Sequence, residues 1–351
     1  VDNSSVNVQS HLPRFTFKSG AIYVADTFKV GHTLTINAGI RYDIQPPPRE
    51  AIDAFSNLDL SVPNAMAGNL PGTLVFSGRG PRRSGASSRF SDTYFKNIAP
   101  RVGFAWSPAV FADRTAIRGS YDILYGPLST LGLSTGPGYA ATPNFSSNDF
   151  FSPVFQLDSG FPAYPAPPNF DPFQLNGSNA PHIGRNDARN PMVQIWNLGI
   201  QQQVATDLLF ELGYLGQHST HLRSNLLYLN NLPQRHFALG SRLADLFDGS
   251  QQSVDGVSSP YPGFNGTVAQ ALRPYPQFKL IDTTDFYEAQ GQSTYHALLM
   301  KVERRFRNGV NFLVAYTWSK SLTDADGALP FFSAGAQNNV DYRAEKALSY
   351  Q

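Results

Sequence analysis

Cysteine is absent from all 351 residues. That excludes a disulfide framework and any thiolate metal site. Charge is also scarce. Asp, Glu, Lys and Arg make up 15% of the chain, where a soluble surface of this size would carry roughly 25%. The two signs nearly cancel, 27 basic against 26 acidic residues for a net charge of +1. This balance gives no argument for nucleic acid or for an acidic partner. No run of 18 apolar residues occurs, so a membrane-crossing helix is excluded. No basic–apolar–small leader follows Val1, and the chain reads as a piece of something longer or as a processed product. The phosphate-loop, zinc-protease and nucleophile-elbow signatures are missing as well. No acid/base or nucleophile set survives inspection, so neither an enzyme nor a bound cofactor is expected.

What the chain does have is aromatics, 13% of it with 26 Phe and 16 Tyr, and a strong period of two. Four pairs of alternating apolar/polar stretches flank short connections. They are Phe15–Lys29 with Thr33–Asp43, Ile98–Ser107 with Arg114–Tyr125, Val193–Val204 with Asp207–Gln217, and Ala297–Phe306 with Val310–Ser319. The joints are Val30–His32, Pro108–Asp113, Ala205–Thr206 and Arg307–Gly309. Alternation at this period argues strands with one apolar and one polar face. Each arm is about 10 residues, enough to cross a bilayer at a tilt. Trp106, Tyr125, Tyr214 and Trp318 fall near strand ends, where an interfacial girdle needs them. Between the pairs run three long stretches rich in Gly, Pro, Asn and Ser: Gln45–Asn97, Gly126–Met192 and His218–Gln292. Tight turns on one rim and long loops on the other are the mark of an antiparallel barrel across a membrane. The expected fold is therefore all-β, an antiparallel transmembrane β-barrel segment of about eight strands, an incomplete barrel with long extracellular loops. A soluble sandwich that binds carbohydrate through Trp and Tyr would alternate in the same way. Its strands would be shorter, and its polar faces richer in Lys and Glu.

The candidate site residues are the charges on the polar faces: Arg41, Asp43, Arg101, Arg118, Asp122, Glu211, Lys301, Glu303 and Arg305. Ionisable groups at membrane depth must face water or one another. These nine are expected to face a lumen, either as contacts to a plug or solute or as cross-strand ion pairs that fix register. Other signals are weaker. Gly78–Arg89 holds Arg79, Arg82, Arg83 and Arg89 among Gly and Ser; it reads as a solvated, mobile loop in preference to an anion-binding one. Gly132–Gly138 lacks the lysine of a phosphate cradle and reads as a loop. His218 and His221 could share a metal only on a helix, and they follow a strand. Asp324 and Asp326 lack the downstream glutamate of a calcium loop, so turn chemistry accounts for them better.

Six phrases resemble barrel strands of TonB-dependent outer-membrane receptors, specifically the Oar-like group. They are Thr33–Asp43 (TLTINAGIRYD), Asn97–Pro108 (NIAPRVGFAWSP), Ile117–Tyr125 (IRGSYDILY), Gln194–Gln201 (QIWNLGIQ), Tyr214–Leu222 (YLGQHSTHL) and Tyr316–Ser321 (YTWSKS). The resemblance implies a barrel of roughly 22 strands around a plug, in the outer membrane of a Gram-negative cell. It implies transport of a bulky extracellular solute, powered by a TonB-type energy-coupling complex. No stretch reads as the plug, the coupling box or a final aromatic-ended strand. The chain is thus expected to be an internal section of the barrel, partnered by the bilayer, by the plug of the same protein and, through it, by the coupling complex. The rival reading is an outer-membrane adhesin or structural barrel that binds polymers through its loops.

Overall fold

A computed structural model describes residues 3–111, 114–128, 135–147, 152–164, 166–224, 226, 229–283, 289–307, 309–325, 338 and 341–349. Its largest element is one antiparallel sheet. The long strands are β1 (Gly20–Val30), β2 (Leu34–Ile44), β3 (Asn97–Trp106), β4 (Thr115–Tyr125), β5 (Met192–Ala205), β6 (Leu208–Leu222), β7 (Gly291–Arg307) and β8 (Val310–Thr323). They pair strictly in chain order, and a two-residue strand, β9 (Ala347–Leu348), adds to β8. The sheet is open, with β1 at one edge and β9 at the other. Turn chemistry fixes the short-turn rim. Gly31 and Gly309 hold φ of +67° and +79°, the left-handed region that tight hairpins demand and that glycine enters without steric cost. Asn308, Ala112 and Asp113 of the expected turns lie outside the described residues.

Register decides which side chains share a face. One continuous row runs Leu34, Trp106, Ile117, Ile200, Leu212, Met300, Tyr316. In the first hairpin this row lies at the turn, with Leu34 paired to Val30. In the last it lies six residues above the turn, at Tyr316 against Val310. That stagger is the shear of a sheet whose strands tilt as a barrel wall does. In β8 the apolar positions run from Val310 to Trp318 before Lys320 breaks them. At ~3.3 Å per residue that is a band of roughly 26 Å along the tilted strand, the thickness a membrane wall requires.

Among the described residues the sheet has no second layer. Phe104, Phe210, Phe312, Val314 and Trp318 keep 38%, 37%, 41%, 56% and 69% of their surface exposed, and Leu298 is only half-buried. Of the fully buried apolar residues among those described, only Ala99 and Ala297 belong to the long strands. A soluble sandwich packs one face of each sheet on a partner, so that expectation fails here. Among the described residues no helix is long and apolar enough to cross a membrane. The crossing elements are the strands.

The apolar core lies instead in the long connections, which the sequence had presented as loops. Phe55, Leu128, Ile183 and Ala188 form one buried cluster. Ala54, Leu74, Phe76 and Tyr139 form a second. A third joins Leu58 and Ala180 to Phe278 and Ile281, and a fourth is Phe247, Phe264 and Val268. The first three clusters draw on more than one connection, so the connections fold together as a cap. A hairpin of Ser56–Asn64 and Leu70–Phe76 stands at its centre. A parallel pair, Asn179–Pro181 with Leu280–Asp282, ties the second connection to the third.

Two expected boundaries move for the same reason. The first strand was expected from Phe15, but the wall begins at Gly20. Phe15 meets Phe55 edge-on at 5.9 Å, and its backbone pairs with Glu50 in the cap. The third connection was expected to start at His218, but β6 runs to Leu222 and β7 begins at Gly291. Polar pairs such as Ser219 with Ser293 carry the ladder beyond the apolar band.

Candidate functional site

The nine sequence-singled charges fall on one face of the sheet. Register places Arg101 opposite Asp122, and Glu211 opposite Lys301. Arg41 and Asp43 sit two and four positions beyond Gly39, which pairs with Arg101. Arg118 lies in the row of Gly199 and Gly213. Glu303 faces Leu209, and Arg305 follows by alternation. The opposite face carries the apolar row.

The structure joins some of these charges and leaves others apart. Arg41 meets Asp43 at 2.9 Å. Lys301 reaches Glu303 at 2.9 Å and Glu211 at 3.6 Å. Arg101 stands 4.0 Å from Asp122, whose Oδ2 accepts a hydrogen bond from Ser120, and Ser120 accepts one from Asn197. Arg101–Asp122, Lys301–Glu211 and Asn197–Ser120 link neighbouring strands, while Arg41–Asp43 and Lys301–Glu303 pair within one strand. Arg118 makes no hydrogen bond or ion pair with a described residue. It borders a hollow of about 320 Å³ shared with Glu211 and Lys301, where Gly199 and Gly213 leave the wall without side chains. The face is less uniformly polar than the alternation suggests. Leu299 and Leu313, 40% and 63% exposed, lie on it beside Lys301 and Glu303.

Other parts of the site were not read from the sequence. At the short-turn rim the Asp207 carboxylate accepts hydrogen bonds from Arg304 and Arg307 at 3.1 and 3.2 Å, tying two adjacent turns together. At the other rim Asn97, fully buried, donates to Asn190 at 2.9 Å. Asn190 in turn donates to Gln45 and to the Gly126 carbonyl, both at 2.8 Å. This amide node joins the four ends of the cap's first two connections at the top of the wall. Isolated Asn residues in loops carry no signal of such pairing.

The arginine-rich segment is a correction. Arg83 is half-buried and clamped in place. Its guanidinium donates to the carbonyls of Ser77, Arg79, Asp53 and Ile52 and lies 5.6 and 5.7 Å from the rings of Tyr139 and Phe170. The loop closes on itself through Gly78 N–H to Ala86 and Gly85 N–H to Gly78. Arg79, Arg82 and Arg89 are exposed. Beneath it Asp53 is gripped by Arg49 at 2.7 Å; that hydrogen bond, with others from Ser88, outweighs burial and holds the Asp53 pKa down at about 2. Glu50 is fully buried. Burial opposes its ionisation, but the N–H groups of Ala54, Ile52 and Arg14 outweigh it and set its pKa below the usual carboxylate value.

The remaining candidates resolve simply. His218 sits in β6 and contacts Thr294 at 3.2 Å; His221 lies three residues along the same strand, not a helix. Among the described residues no group of three metal-ligating side chains forms. Asp324 caps the end of a hairpin by accepting from Gln292 N–H, as its turn reading anticipates. Asp326 and residues 132–134 lie outside the described residues.

A tilted, one-layer antiparallel wall, apolar on one face and charged on the other, with a folded cap on one rim, defines a membrane-spanning β-barrel protein of the outer membrane. The family model described as outer membrane beta barrel domain matches residues 1–351, and the chain belongs to that family. No curated protein resembles it significantly in sequence. Among solved structures it is similar to the FrpB iron transporter from Neisseria meningitidis (F3-3 variant). That likeness has a TM-score of 0.38 and 10% identity, over 89% of this chain and 27% of the other. It is also similar to the outer membrane transporter YddB from Escherichia coli, with a TM-score of 0.37 and 11% identity, over 87% of this chain and 34% of the other. The chain spans about a third or less of the length of these proteins.

Proposed function

We propose that this chain is a section of the wall and cap of a TonB-dependent, plug-gated receptor of the Oar-like type, which moves a bulky solute across the outer membrane. In this reading the charged face looks into a water-filled lumen and meets a plug. The short turns lie in the periplasm and the cap lies outside. One observation carries the proposal: the wall buries almost no apolar side chain of its own, yet gathers nine charges on the face opposite its apolar row, against Asp26, Arg304 and Lys320 on the apolar side. Ionisable groups are tolerated at membrane depth only where they face water or protein. The ion pairs among Arg41, Asp43, Glu211, Lys301 and Glu303 suit a hydrated channel. Arg118 and its hollow offer the plug or solute an unpaired cation. The strand phrases of the Oar-like group support the coupling to a TonB-type complex.

The test is uptake in cells that carry the intact parent gene. Removing the segment that precedes this chain, or collapsing the inner-membrane energy supply, is expected to abolish uptake while the barrel still inserts. Undiminished uptake in both cases would refute energised transport and leave a passive channel, whereas no uptake by the intact protein would leave an adhesin or structural barrel.

A further inference from the structure

The cap holds a cavity of about 780 Å³ between the strand Leu70–Phe76, the loop carrying Arg82 and Arg83, and the segment Asn169–Phe173. That volume lies in the range of small-ligand sites, which pair an apolar body with a few placed polar groups. The floor is apolar: Pro172 and Phe173 line it half-buried, and Phe76 behind them is buried against Tyr139 and Phe170. The walls are fixed, because Leu74 N–H donates to the Pro172 carbonyl and Ser84 N–H to that of Phe76.

Cations outnumber anions on the lining two to one. Arg82 and Arg83 both line the cavity, and neither forms an ion pair with a described residue. All the hydrogen bonds of Arg83 go to carbonyl oxygens, so its positive charge is held in place and not cancelled. Arg82 is exposed, makes no hydrogen bond or ion pair with a described residue, and has a φ of +60°, a conformation that residues other than glycine adopt rarely. The only carboxylate on the lining, Asp171, is engaged by Phe173 N–H at 2.9 Å.

We propose that this cavity binds a small organic anion, a carboxylate on a flat apolar body. Arg82 would take the carboxylate, Arg83 would supply a fixed field, and the body would lie on the Pro172–Phe173 floor. The proposal rests on the reading of the cap as the solute-facing side, and it supplies that reading with a chemical class.

The test is equilibrium dialysis of the full-length protein in detergent, with 2-naphthoate as probe, 2-naphthalenemethanol as its neutral counterpart and detergent alone as blank. Saturable naphthoate binding is expected, weakened by salt and by about tenfold or more in Arg82→Gln, since charge-assisted contacts are the strong ones. Arg82→Gly should lose binding equally while melting no lower, because glycine suits the left-handed backbone. Arg89→Gln, outside the cavity, should bind as the parent does. Absence of saturable naphthoate binding, equal binding of the alcohol, or unchanged binding in Arg82→Gln would overturn the site. Naphthoate binding by a protein that transports nothing would instead overturn the transport reading and leave the site intact.

Discussion

At the scale of single residues, the informative positions are polar side chains placed where water is scarce. Arg83 spends its donors on four carbonyls of the cap and stacks near two rings. Arg83→Gln removes most of these charge-assisted bonds, two of them to part-buried carbonyls of Ser77 and Asp53. It should destabilise the cap by roughly 2–3 kcal/mol, seen as faster proteolysis of residues 50–90 with the strands still protected. Glu50 and Asp53 make the same region acid-sensitive. Both folded pKa values are depressed, so their stabilisation is complete above the ordinary values of 4.5 and 3.8 and is lost as pH falls through the folded ones, about 2 for Asp53. The Asp53 share is at most about 2 kcal/mol, reduced because its partner Arg49 is half exposed. Hydrogen exchange in the cap should therefore accelerate between about pH 4.5 and 2 while the wall stays unchanged. A cap equally protected across that range would contradict the assigned partners. None of this was legible in the sequence. Four arginines among Gly and Ser look alike there, and only the fold separates the clamped Arg83 from the unpartnered Arg82.

At the scale of elements, the strand is the unit and its two faces answer to different surroundings. Val314 lies on the apolar face and Ala315 on the charged one, adjacent in β8 and both exposed. Arginine on the lipid face of a barrel costs ~2–4 kcal/mol near the bilayer midplane, whereas lumen positions accept it. Val314→Arg should lower folding stability in lipid by that amount, measured by urea titration in vesicles, and Ala315→Arg by far less. Equal costs would mean that the two faces do not see different media. Close packing also acts here. The Trp196 ring crosses the position of Gly216, where an added Cβ would lie 2.2 Å from it, so a glycine in mid-strand lets an aromatic on the next strand lie flat. The eight long strands, their order and most of their faces could be read from alternation. The misplaced ends, Phe15 and His218, failed where the ladder leaves the apolar band. Period two continues there, but the residues pack against the cap or pair in water.

At the scale of the whole molecule, the distribution of burial is inverted relative to a soluble protein. The large sheet carries its greasy side chains outward, and the compact apolar clusters sit in the connections. Expressed alone without lipid or detergent, the chain should aggregate, because the wall exposes apolar area and its edge strands offer unpaired backbone groups. Sedimentation would show this, and a monodisperse, β-rich monomer in plain buffer would sink the membrane reading. What the sequence determined by itself was the wall. Strand length, alternation and turn glycines are local properties, and a face that meets hydrocarbon needs no distant partner to define it. Tertiary structure alone decided the cap, with its amide node at Asn97 and Asn190 and its two-arginine cavity. Those contacts join residues up to 145 positions apart through irregular backbone, for which no periodicity exists to be read.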